Sequence, residues 1–250
     1  MYTPRTTGET VGISLAAALM TACGNSSNLT STEPTPTEPE NPDVTLTTDL
    51  PDGGSARSDH GDLTVTVDQT GSDITLEAPK GDLSAPTLSG DSVDVNALTG
   101  TVAKTTGNNA TMTFGDSATV HFVSGHDNAI TGGMQPSNIL NISDMAGASD
   151  SFFSAANLNI GGPTGAPGNV LDATSVNGNG KVEVGTLTAG TTVQNASRVF
   201  VDFSVACDST IVGQDIDLTI GLESQGTTRY VINNPAVSYT HLTLPTICSV

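Results

Sequence analysis

From Gly61 the chain falls into short units in which apolar and polar residues alternate. GDLTVTV, GSDITLEA, GDLSAPTL, GDSVDVNAL and GTVAKTT begin at Gly61, Gly71, Gly81, Gly90 and Gly100, an almost constant interval. Within a unit the apolar residues take every second position, as in Leu63, Val65 and Val67 or Val93, Val95 and Ala97. A period of two is the signature of a strand that turns one face to a core. Glycine at the head of each unit is expected to supply positive φ at a corner, and the Asp that often follows it to bond its own backbone. The pattern predicts five short strands at even spacing.

Beyond Gly107 the units lengthen and lose their regularity while keeping strand character, at residues 110–114, 118–123, 139–142 and 158–160. MAGASDSFFSAA, residues 145–156, is the one run after residue 22 compatible with a short helix, with Phe152 and Phe153 as its packing residues. After a Gly- and Pro-rich loop at 161–168, strands are predicted at 181–184, 198–205, 215–220 and 229–232. VFVDFSVA buries either Val199, Val201, Phe203 and Val205 or the complementary set. Because Phe200 belongs to that other set, both faces of this strand are expected to be covered. Residues 44–60 are ambiguous, with Val44, Leu46 and Leu50 compatible with an edge strand and DGGSARSDH with a loop; the repeat domain is placed at 61–236.

Two architectures satisfy the repeat. In a parallel β-solenoid, equivalent positions stack along one axis about 4.8 Å apart. In an antiparallel meander, closed as a barrel or sandwich, the same glycines would occupy hairpin turns. Two-residue hairpins favour Asn-Gly or Asp-Gly, whereas the order here is mostly Gly-Asp. Pro86 is also better accommodated at a solenoid corner than in a central antiparallel strand. The expected fold is therefore all-β and solenoidal, with the antiparallel barrel or sandwich as the alternative.

The two ends of the chain differ from the middle. Residues 11–22 form an apolar run of about twelve, short of the roughly 20 that a membrane-spanning helix needs. GISLAAALMTAC resembles a bacterial lipoprotein signal, with Ala22 just before the cysteine and Met20 three residues before it. The resemblance implies a signal peptide over 1–22 and an acylated Cys23, which makes a membrane the first expected partner. Two or more acyl chains, at about 0.8 kcal/mol per buried methylene, would give a stable anchor. Gly24 is unlike the aspartate that retains some lipoproteins at the inner membrane, so an outer-membrane destination is implied. Residues 24–43 then carry prolines 34, 36, 39 and 42 among Thr and Glu. Such a composition buries too little apolar surface to offset its ordering entropy and reads as an extended linker, assigned to 23–60 together with the lipidated cysteine. At the other end, residues 237–250, VSYTHLTLPTICSV, resemble a translated sequencing adapter and are read as non-native, so Tyr239, His241 and Cys248 are given no role.

Charge narrows the class of partner. Seven basic and 26 acidic residues give a net charge of −19, which repels nucleic acid over the whole surface, and no basic stripe or aromatic cluster opposes that. Three cysteines, at 23, 207 and 248, form no disulfide framework and no multi-cysteine metal site. Cys207 sits in a strand pattern and is read as a small buried hydrophobe.

Candidate chemistry is sparse. His121 and His126 flank FVSG, with Asp116 and Asp127 nearby, the one place where imidazoles and carboxylates gather for a metal or acid/base site. Solvated turn histidines are the expected outcome. Asp91 with Asp94, and Asp215 with Asp217, offer oxygen ligands for calcium, but they lack the tandem-glycine nonapeptide pattern and are read as turn acids. Paired acids on a solenoid face would suit a carbohydrate-active enzyme, yet nothing selects a pair. Nucleophile elbow, phosphate loop and His-Glu-x-x-His are missing from the sequence, so no catalytic residue, cofactor or metal is assigned.

Gly61-Asp62-Leu63, Gly81-Asp82-Leu83 and Ser89-Gly90-Asp91 resemble the Gly-Asp-repeat, adhesin-like families of bacterial envelope proteins, over a short stretch of the chain. That resemblance implies a parallel β-solenoid and a surface-exposed, non-catalytic domain with a cell-surface, matrix or protein ligand. Residues 196–213, with VDF followed by TIVG, resemble transferrin-binding-protein-like barrels, which implies instead a lipoprotein that captures a solute or host protein.

Overall fold

The computed structural model describes residues 43–145, 147–178, 180–205, 209–213, 217–220, 223–224 and 229–232. They form a parallel β-solenoid of about nine turns with no helix among them. Every pairing between these strands is parallel, from Val44–Leu46 on Leu63–Val65 at one end to Thr210–Gly213 on Arg229–Ile232 at the other. That excludes the antiparallel barrel and sandwich, and with them the barrel expected at 196–213, where Arg198–Val205 lies parallel between Lys181–Leu187 and Asp217–Ile220.

A coil takes two of the sequence units. It is short where Leu83 stacks on Gly100 and longest where Leu158 stacks on Val182. One sheet stacks Val44–Leu46, Leu63–Val65, residues 82–88 and 99–105, then Ala118–Phe122, Ile139–Asp144, Asn157–Pro163, Lys181–Leu187 and Arg198–Val205. The opposing sheet stacks Ser55–Arg57, residues 75–78 and 94–97, then Thr111–Phe114, Ala129–Thr131, Phe152–Ser154, Val170–Asp172, Thr192–Gln194 and Thr210–Gly213. Thr75–Leu88 and Asp94–Thr105 bend round a corner and serve both sheets. Alternation puts one apolar column from each sheet inside: Val65, Ala85, Val102, Val120, Ile142, Ile160, Val184 and Val201 face Leu76, Val95, Met112, Ile130, Phe153, Leu171, Val193 and Ile211. A single coil could not bury its apolar residues, and stacking supplies the cover.

Several expectations are corrected. Val44–Leu46 and Ser55–Arg57 pair with Leu63–Val65 and residues 75–77, so strands of the solenoid lie before Gly61. MAGASDSFFSAA is no helix: Ala148–Ser149 and Phe152–Ser154 are strands, because alternation buries Phe153 and turns Phe152 outward. Pro86 lies inside Thr75–Leu88, with Ala85 on Val102 and Thr87 on Lys104 to either side, so the sheet gives up the one bond that proline cannot donate. Among the described residues no second layer covers Arg198–Val205; Val199 and Val201 are buried, and Phe200 lies half-buried with Lys181 Nζ 5.2 Å from its ring centroid.

The repeat glycines also do a different job from the one expected. Gly71, Gly81, Gly90 and Gly107 are outside the left-handed region. They are required because the coils touch there: a Cβ on Gly90 would lie 1.7 Å from the Gly71 carbonyl oxygen, one on Gly107 1.8 Å from that of Gly90, and one on Gly81 2.1 Å from that of Gly61. After Gly71, Gly90 and Gly107 positive φ falls two residues later, on a column comprising Asp73, Ser92, Asn109 and, in the next coil, Asp127 at 55° to 57°. Asp and Asn tolerate that region better than other side chains, and Ser92 is the one residue of this column that is neither. Nor do the corner acids bond their own backbone. Asp43 Oδ1 accepts from Asp62 N at 3.0 Å, Asp62 Oδ1 from Asp82 N at 2.8 Å and Asp91 Oδ1 from Asn108 N at 3.0 Å, each a full coil away.

The loss of regularity after Gly107 has a cause in one corner column. It reads Ile74, Val93 and Ala110 in the early coils and Asn128, Ser151, Asn169, Thr191 and Ser209 in the later ones, all buried. Asn128 Oδ1 accepts from Ala110 N at 2.9 Å, Ser151 Oγ from Asn128 N at 3.1 Å and Asn169 Oδ1 from Ser151 N at 3.0 Å. Hydrogen bonds between coils replace aliphatic packing, so the apolar alternation fades while the fold continues.

Candidate functional site

The residues singled out for chemistry do not assemble. His121, exposed on Ala118–Phe122, has Nδ1 3.2 Å from Ser143 Oγ, while His126, exposed at a corner, has Nδ1 2.7 Å from Asp127 Oδ2. Asp116 Oδ1 accepts from Ser117 N at 2.7 Å and from Asn138 Nδ2, which ties it to its own turn and to the next coil. Asp91 is engaged by Asn108, and Asp94 is exposed on a different strand segment. Among the described residues no group of three or more His, Cys, Asp and Glu is placed to hold a metal ion. Cys23, Cys207, Asp215, Tyr239, His241 and Cys248 lie outside the described residues, as do the signal, most of the linker and the tail; Asp217 is on Asp217–Ile220.

What the stacking does build is a shallow groove of about 400 Å³ on the outside of the first sheet. Two outward columns line it, Asp82, Thr99 and Ser117 in one and Ser84, Thr101, Thr119 and Asn141 in the other. Beneath it runs the inward column Leu63, Leu83, Gly100, Ala118, Leu140, Leu158, Val182 and Val199. The groove lies over the two coils where that column shrinks to Gly100 and Ala118. Interiors pack to a fixed density, so the space those small residues leave must be filled from elsewhere. Phe114 from the opposing sheet takes the space, and a Cβ on Gly100 would meet its ring edge at 2.4 Å. Gly100, which heads a sequence unit, is thus a strand residue that makes room for the Phe114 ring.

The outward side chains of the groove are polar and none is a cation, while Leu83, Gly100 and Ala118 complete its lining. Ser117 Oγ accepts from Ile139 N at 2.9 Å, and Asn141 Oδ1 accepts from Asn159 Nδ2 at 3.0 Å. The hydroxyls of Ser84, Thr99, Thr101 and Thr119 make no hydrogen bond to other described residues, which leaves them to solvent or a ligand. Sequence reasoning missed this site because its two columns become visible only once a coil is known to take two units. No protein-family model, curated protein or solved structure matches the chain.

Proposed function

We propose that the protein is a lipid-anchored protein of the bacterial envelope, at the outer membrane, that presents a non-catalytic β-solenoid for adhesion or for envelope or matrix structure. The observation that carries this reading is the order of segments: a lipoprotein-like signal ending at Cys23, a Thr-, Pro- and Glu-rich stretch, and a solenoid under way by Val44. A solenoid offers long, repetitive faces suited to binding extended partners. A charge of −19 favours uncharged or basic surfaces over nucleic acid. The test is metabolic labelling with a fatty-acid analogue in a bacterial host. The wild-type chain is expected to take up label and to fractionate with the outer membrane, and Cys23→Ser to lose both; label retained by Cys23→Ser removes the anchor from the proposal.

A further inference from the structure

We propose that the groove over Gly100 and Ala118 binds a neutral, unbranched polysaccharide lying along the solenoid axis, an inference that rests on the non-catalytic binding role proposed above. The wall is made of groups that both donate and accept, the hydroxyls of Ser84, Thr99, Thr101, Ser117 and Thr119 and the amide of Asn141. A sugar chain presents the same two-way hydroxyl chemistry. The wall also repeats: successive coils offer the pairs Asp82 with Ser84, Thr99 with Thr101, and Ser117 with Thr119 at intervals of about 4.8 Å. A repeating wall meets a polymer of repeating units at every step, which a single small molecule cannot exploit.

The charge of the site selects among polymers. Asp82 stands at the groove, no Lys or Arg lines it, and the chain carries −19, so polyanions are repelled. The lining pairs these hydroxyls with apolar surface, Leu83, Gly100 and Ala118 among it, as an amphipathic sugar chain requires; Ile139, next in the column beyond Ser117 and 39% exposed, is placed to take the C–H face of a sugar. The groove is shallow and open, so a chain is able to pass along it.

The purified full chain would be tested by cosedimentation and calorimetry with amylose, mannan and β-1,3- and β-1,4-glucans, with polygalacturonate and alginate as anionic controls. At least one neutral polymer is expected to bind, with little dependence on salt. The double variant T101V/T119V, which keeps β-branched residues on the strands, is expected to weaken binding about tenfold through the loss of two hydrogen bonds. T111V/T113V on the opposing sheet should leave it unchanged, and neither pair should move the unfolding midpoint. Failure to bind any neutral polymer, preference for an anionic one, or full binding by T101V/T119V would overturn the assignment. If the chain adheres to cells and T101V/T119V adheres equally, or if protease treatment of the cells abolishes adhesion, the ligand assignment falls and the binding role stands. Adhesion to neither cells nor polymers removes the role itself.

Discussion

Replacing Gly90 by alanine separates two accounts of the repeat glycines by the sign of the effect. Gly90 is outside the left-handed region, so alanine can adopt its backbone conformation. If glycine stood there only by tolerance, the substitution would stabilise the fold by about 0.4–1 kcal/mol through a less flexible unfolded chain. The structure instead puts the new Cβ 1.7 Å from the Gly71 carbonyl oxygen and 2.7 Å from its carbon, against the 3.0 Å that real Cβ atoms keep. The obstacle is backbone, held on one side by the pairings of Leu63 with Leu83 and Gln69 with Leu88 and on the other by the ladder joining residues 75–78 to 94–97. Relief requires the two coils to part by more than an ångström, and overpacking of that severity costs about 3 kcal/mol. Urea unfolding followed by circular dichroism measures the total. Amide exchange at residues 71–75 and 90–95 shows whether the loss is local, as expected where stability is a sum of neighbouring coils. Gly178→Ala is the control, since its φ of +69° strains any side chain while nothing lies within 4 Å. A Gly90→Ala protein as stable as wild type, or more so, would refute steric stacking as the reason for the glycine.

Thr105 is fully buried with its hydroxyl unpartnered, in a column between Leu88 and Val123; Thr105→Val is expected to stabilise by about 1 kcal/mol in the same urea assay. Asn169 donates to the carbonyls of Ala148, Thr164 and Ala166 and accepts from Ser151 N, so Asn169→Ala strands buried groups and should cost about 3 kcal/mol, with faster amide exchange at Ser151 as the signature. Hydrogen bonds from the Thr70 side chain and backbone hold the Asp49 carboxyl below its usual 3.8. Its contribution is complete above the unfolded value near 3.8 and disappears as pH falls through the lower folded value. Asp49→Asn should flatten that part of the acid unfolding curve, and an unchanged curve would contradict the linkage.

The strands and their inward residues were readable because alternation is a direct consequence of a two-sided sheet: Leu63, Val65, Val93, Val95 and Ala97 are all buried. Legibility failed where side chains stopped reporting their environment. Asn128, Ser151 and Asn169 occupy the column that begins with Ile74 and Val93, and a polar residue bonded to the next coil looks like a loop residue in a sequence. Phe152 and Phe153 suggested one packed face of a helix, yet adjacent residues on a strand point oppositely. The glycine spacing was visible while its meaning was not, since such a period is shared by hairpins and by half-coils. The groove follows from that second fact, because Gly100 and Ala118 share a column only once each is known to stack directly on the other. The acids and histidines gave the weakest guide, because each of Asp62, Asp91 and Asp116 is spent on a backbone N–H.

The groove, the glycine stacking and the binding face all depend on parallel coils of two units each. Two double-cysteine variants, with the native cysteines changed to serine, test this directly under mild oxidation. Thr101 is paired with Ser84 on one side and with Thr119 on the other, each a full coil away along the chain. Strands so placed bring Cα atoms to about 4.8 Å, inside the range a disulfide spans. Both S84C/T101C and T101C/T119C are expected to form an intramolecular disulfide while keeping the wild-type circular dichroism. If neither closes, and Thr101→Cys pairs instead with cysteines placed in the sequence unit next to its own, the coils are hairpins and the solenoid is wrong.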